Sequence, residues 1–130
     1  MKPDVEQAIK ELRAAFPESQ FSITEDAEGG AKVIIEDAVI GHGCILYNQD
    51  TTWLGFRITF QYPYADIYPV FVRGDLSRRD GRPLGEAMTP LIWEGLQAVQ
   101  VSRRSNKRDA LVENAVIKIQ KVLRWMSMRP

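Results

Sequence analysis

Hydrophobic positions recur with a helical period at both ends of the chain and with a strand period in between. Val5, Ala8, Ile9, Leu12 and Phe16 form one apolar stripe. Pro3 and Asp4 suit a first helical turn and Pro17 ends the segment, which predicts a helix over residues 3–16. "FSITED" (21–26) puts Phe21 and Ile23 on one face, and across the Gly29-Gly30 turn "AKVIIE" (31–36) returns, so the pair reads as a hairpin. In "TWLGFRITF" (52–60), Leu54, Phe56, Ile58 and Phe60 alternate with Gly55, Arg57 and Thr59, as in a strand buried on one face. "VFVRG" (70–74) predicts a fourth strand. Val112, Ala115, Val116, Ile119, Val122, Leu123 and Met126 form a second helical stripe over 109–126, with Asn106 or Asp109 to cap it.

Two regions resist this pattern. Residues 37–50 are broken by Gly41 and Gly43, with room for a short strand at 45–47. From Asp75 to Arg108 periodicity is lost apart from the apolar patch in "PLIWEGLQAVQV", which predicts a long irregular loop. The order is helix, four antiparallel strands in a meander, loop and helix: an α+β fold in one domain over residues 1–130.

Between the third and fourth strands lies "FQYPYADIYPVF" (60–71). Pro63 and Pro69 fix φ and bias the residues before them towards extended conformations, which stiffens a crossover that has no ladder hydrogen bonds. Tyr62, Tyr64 and Tyr68 can lay ring faces on the sheet while their hydroxyls stay near water.

Composition narrows the classes further. An apolar fraction of 45% and a charged fraction of 26% are those of a globular protein. Seventeen basic residues balance seventeen acidic ones, so nucleic acid ranks last among partners and a bulk attraction to membranes is excluded. One cysteine and one histidine rule out an internal disulfide and leave too few ligands for a structural zinc site. No run reaches membrane-spanning length, and "MKPDVEQAIKEL" has acids where a signal peptide needs an apolar core, so a cytoplasmic location is expected. Nothing in the sequence calls for a metal or a cofactor.

A helix, a meander ending in "FRITFQYP", a Tyr-Pro crossover, a strand "VFV", a long loop and a last helix resemble the ubiquitin-conjugating enzyme fold and its relatives, the RWD domains and the inactive conjugating variants. The matching positions are Ile58, Phe60, Tyr62, Pro63, Pro69, Val70 and Phe71. Asp80-Gly81, Trp93, Ser102-Arg103 and Arg104 are similar to the pattern of the prokaryotic branch. That resemblance implies work with a ubiquitin-like protein, its activating enzyme and JAB-type peptidases, in some cases in bacterial antiphage defence.

The family's chemistry needs a cysteine after the fourth strand to carry a thioester. In this chain "DLSRRDGRPLGEAMTPLIWEG" has none, and Pro83, Leu84 and Gly85 stand near its place. The resemblance therefore implies a pseudoenzyme that binds or scaffolds. Two alternatives stay open: a transfer enzyme using Cys44 with His42 as its base, and an RWD-like interaction module unrelated to ubiquitin-like proteins. On an extended chain Cys44 and His42 would share a face, although a lone cysteine beside Ile45 and Leu46 is more often buried.

The remaining candidates are binding residues. Arg103, Arg104, Lys107 and Arg108 cluster before the last helix, and Arg78, Arg79 and Arg82 would join them if both loops face one way. Solvation alone also accounts for such runs. Arg124 and Arg129 suit the negative end of the last helix. Trp53, Trp93 and Trp125 read as packing anchors, with Trp93 a partner contact if exposed. The candidate partner surface is Tyr62, Pro63, Tyr64, Tyr68, Trp93, Arg103 and Arg104.

Overall fold

The computed structural model describes residues 1–104 and 108–129. Asn106 and Lys107, candidates above for a helix cap and the basic cluster, lie outside the described residues.

Helix α1 (Pro3–Ala15) has Pro3 in its first turn, Asp4 and Glu6 at its positive end and Arg13 in its last turn. Its buried stripe is Val5, Ala8, Ile9 and Leu12. Strands β1 (Phe21–Glu25) and β2 (Ala31–Val39) form the expected hairpin, with Phe21 opposite Ile35 and Glu25 opposite Ala31. Asp26 organises the turn: its Oδ1 accepts from the N–H groups of Glu28 and Gly30. Gly30 admits no side chain, because a Cβ there would stand 2.4 Å from the Ile58 carbonyl oxygen. Strand β2 runs past the predicted end through a bulge between Ile35 and Ala38, where Asp37 takes φ +54.

Strands β3 (Thr51–Ile58) and β4 (Val70–Arg73) complete the meander. β3 stops short of Phe60, which is exposed.

The sheet has six strands, where the sequence pattern predicts four. The stretch expected as an irregular loop contains a hairpin, β5 (Met88–Trp93) and β6 (Leu96–Val101), and the strand order is β1-β2-β3-β4-β6-β5 with every pairing antiparallel. Its two-residue turn has Glu94 at φ +51 and Gly95 at φ +79, the twist a tight hairpin requires. Pro90 is tolerated because β5 is the outermost strand. The Ser102 N–H donates to the Ala87 carbonyl at 2.8 Å, and the antiparallel alternation from there turns the backbone groups of Met88, Pro90 and Ile92 away from β6.

Helix α2 (Ala115–Ser127) starts later than its stripe suggested. Asn114 is the cap, its side chain accepting from the Ile117 N–H, and Val112 is exposed in the preceding turn. The two helices touch and cover one face of the sheet, in a core shared with Val33, Ile35, Leu54, Phe56, Val72 and Val99. Each fully buried side chain of this size contributes about 1.5–3 kcal/mol relative to exposure. On the helix-free face Trp93 stacks on Phe71 at 4.5 Å and on Trp53 at 6.2 Å. Gly55 makes room for them, since a Cβ there would meet Trp93 Cζ3 at 2.3 Å.

Candidate functional site

The Tyr-Pro crossover is a clasp on the start of α2. Both Tyr62–Pro63 and Tyr68–Pro69 are cis. Tyr62 is buried, and its hydroxyl accepts from the Ala115 N–H at 3.0 Å instead of facing water. Burial pushes the Tyr62 phenol above its ordinary pKa. Arg108 donates to the Pro63 carbonyl and pairs with Glu113 at 3.2 Å and Asp66 at 3.7 Å. Lys118, nearly sealed from solvent, donates through Nζ to Asp66 Oδ2 at 3.1 Å and to the Arg103 carbonyl at 2.6 Å. One buried lysine thus ties the crossover, α2 and the Arg103–Arg104 segment together.

Lys118, Arg103 and Arg104 also line a cleft of about 780 Å³ along α2. Among the described residues its cations are Arg103, Arg104, Lys118, Lys121, Arg124 and Arg129, and its one lining carboxylate is Glu86. Lys118 and Lys121 are paired, the latter with Glu113 at 2.7 Å. The four arginines make no ion pair among the described residues. Arg103 and Arg129 lie over the Trp125 ring at 5.7 and 4.3 Å, and Arg104 lies over Tyr68 at 4.1 Å.

Outside the cleft most arginines meet a carboxylate. Of eleven arginines, Arg57, Arg73, Arg78, Arg79, Arg82 and Arg108 pair with carboxylates, and Arg13 lies over Phe21. The other four all line the cleft. Sharing one ring places Arg103 and Arg129 no more than about 10 Å apart, where like charges repel by about 0.4–1.7 kcal/mol between water-like and surface-like screening. Arg129 Nε is also buried with no acceptor among the described residues, a state that costs on the order of 1–3 kcal/mol. An anion would relieve the repulsion, and stacking on aromatic rings holds the guanidinium forks ready for one.

Of the predicted partner residues, Tyr68, Arg103 and Arg104 come together here. Tyr62 and Pro63 belong to the clasp, Tyr64 points outward at 78% exposure, and Trp93 is half-buried in the stack on the helix-free face. The second arginine cluster does not extend the cleft. Arg78 and Arg82 both pair with Asp80 and line a separate groove with Pro83, Leu84 and Gly85. The sequence pattern does not single out Lys121, reads Glu86 as a loop surface residue, and assigns Arg124 and Arg129 only to the helix end. The missed signal is the spacing of Lys118, Lys121, Arg124, Trp125 and Met128, which puts one basic and aromatic stripe along α2.

Cys44 and His42 are separated by a turn. The Cys44 N–H donates to the Gly41 carbonyl at 3.1 Å and Gly43 takes φ +72, so the extended geometry that would align the two side chains is absent. Cys44 is half-buried against the core with its thiol 3.9 Å from the Ser127 carbonyl. His42 is exposed and lines a different groove, between the end of α1 and the side of α2 at Gln120 and Leu123.

No family model, no curated protein and no solved structure matches the chain. No helix among the described residues is long and apolar enough to cross a membrane.

Proposed function

We propose that this chain is a non-catalytic, ubiquitin-conjugating-like binding domain that docks an acidic surface of a ubiquitin-like protein, or of its activating enzyme, over the α2 cleft. The observation that carries the docking site is the set of four arginines left without carboxylates in a cleft of a chain that pairs nearly all its others. The kind of partner rests on the order of α1, the first four strands and the Tyr-Pro crossover. The β5–β6 hairpin departs from that resemblance and follows a segment with no cysteine to carry a thioester.

The test is co-purification with a ubiquitin-like protein or activating enzyme encoded beside it. The complex is expected to be lost in the double variant Arg103→Glu, Arg104→Glu, whose side chains are exposed and make no ion pair among the described residues. An undiminished complex in that variant removes the cleft from the interface. Capture of an unrelated acidic protein in its place assigns the chain to the RWD-like interaction modules.

A further inference from the structure

We infer that the cleft takes an extended acidic peptide segment, four or five residues long with carboxylates on alternate side chains; this rests on the cleft being the docking site proposed above. Residues from Lys118 to Met128 line one wall, and ten residues of helix rise about 15 Å. An extended chain advances roughly 3.3 Å per residue, so four or five residues span that wall, with alternate side chains about 6.6 Å apart. Helix neighbours three and four apart are spaced at about 5–6 Å, close enough for successive carboxylates to meet Lys121, Arg124 and the two arginines over Trp125, Arg103 and Arg129, in turn. A lone phosphate engages only a part of this ladder.

The shape agrees with the charge. About 780 Å³ lies within the roughly 300–1,000 Å³ of ligand-binding clefts, room for a segment of that length. Nucleic acid fits less well. Single-stranded chains are held by stacking bases on free aromatic rings, and here guanidinium groups already lie over Trp125 and Tyr68. Glu86 opposes any anion and sets a second expectation, that neutralising it tightens binding.

The experiment is fluorescence anisotropy of labelled hexaglutamate with the full chain at 50 mM NaCl, with hexaglutamine, inorganic phosphate and an oligothymidylate as comparisons. Saturable one-to-one binding is expected. It should weaken at least tenfold in the Arg103→Glu, Arg104→Glu variant and separately in Arg124→Glu, and strengthen in Glu86→Gln. Arg82→Gln, outside the cleft, should leave it unchanged. Near-ultraviolet circular dichroism checks that each variant is folded. Absence of hexaglutamate binding, equal binding by the arginine variants, or tighter binding of phosphate or oligothymidylate overturns the inference. If hexaglutamate fails while the folded partner still needs Arg103 and Arg104, the peptide mode falls and the docking proposal stands. If the partner is also indifferent to those arginines, both fall.

Discussion

Replacing Tyr62 with Phe tests whether the Tyr-Pro crossover holds α2 in place. The substitution keeps the ring in its pocket and removes only the oxygen that accepts from the Ala115 N–H at 3.0 Å. Asn114 caps the N–H of Ile117, so its side chain does not replace the lost acceptor. Ala115 is 1% exposed, which also keeps water away. The cost is that of an orphaned buried amide, about 1–3 kcal/mol. Denaturant unfolding should show that loss, with Tyr64→Phe, at a ring 78% exposed, within about 0.5 kcal/mol of the parent protein. Hydrogen exchange gives the local readout: the Ala115 amide should exchange about 5- to 150-fold faster in Tyr62→Phe, the range that 1–3 kcal/mol represents. Equal stability of the two variants, together with unchanged Ala115 exchange, would refute the clasp.

Other substitutions probe the sheet, the ion pairs and the acid limb. Gly55→Val forces a Cβ to within 2.3 Å of Trp93 Cζ3 and should cost about 2–4 kcal/mol through overpacking and a broken stack, seen as a lower unfolding midpoint and altered tryptophan fluorescence. Glu113→Ala strips the buried partner from Arg108 and Lys121 and should cost about 3 kcal/mol or more by denaturant unfolding; a loss under 1 kcal/mol would show that water replaces the carboxylate. The Gly30 N–H, then that of Glu28, holds the Asp26 carboxyl below its ordinary value of 3.8. A lowered folded pKa means that its contribution is fully present above the unfolded value and is lost as pH falls through the folded one. Stability should therefore decline below about pH 3.8, and Asp26→Asn should flatten that limb in a pH series of thermal melts.

The elements that could be read from the sequence are those whose periodicity was uninterrupted: α1, the first hairpin, β3 and β4. Strand β5 escaped because an edge strand needs little alternation, and β6, an interior strand, because Ala98 and Val99 are buried in succession and Leu96 is exposed. Thr89, Pro90 and Ile92 are all exposed, and the proline that would disqualify a central strand is harmless on an outer one. Their turn was visible as "WEGL", but Glu-Gly is a weaker hairpin signal than Asn-Gly. The start of α2 was misplaced because Val112 matches the helical period by chance and Asn114 caps two residues later. Two of the cleft's four arginines were legible in the same way, as the local run "SRR". The cations of α2 join them only because β6 returns alongside β4 and delivers Arg103 to the foot of the helix, a long-range consequence of two strands that the local pattern did not reveal.

Pro90 has a consequence for how this molecule meets copies of itself. The backbone of Met88, Pro90 and Ile92 faces outward from the last strand of the sheet. A seventh strand approaching there would find a carbonyl at each of the three positions but an amide proton at only two, with a pyrrolidine ring in the middle of the seam. Strand addition is thereby disfavoured on that side. Self-association through strand pairing, the usual hazard of an open antiparallel sheet, is left to the short, polar rim at β1.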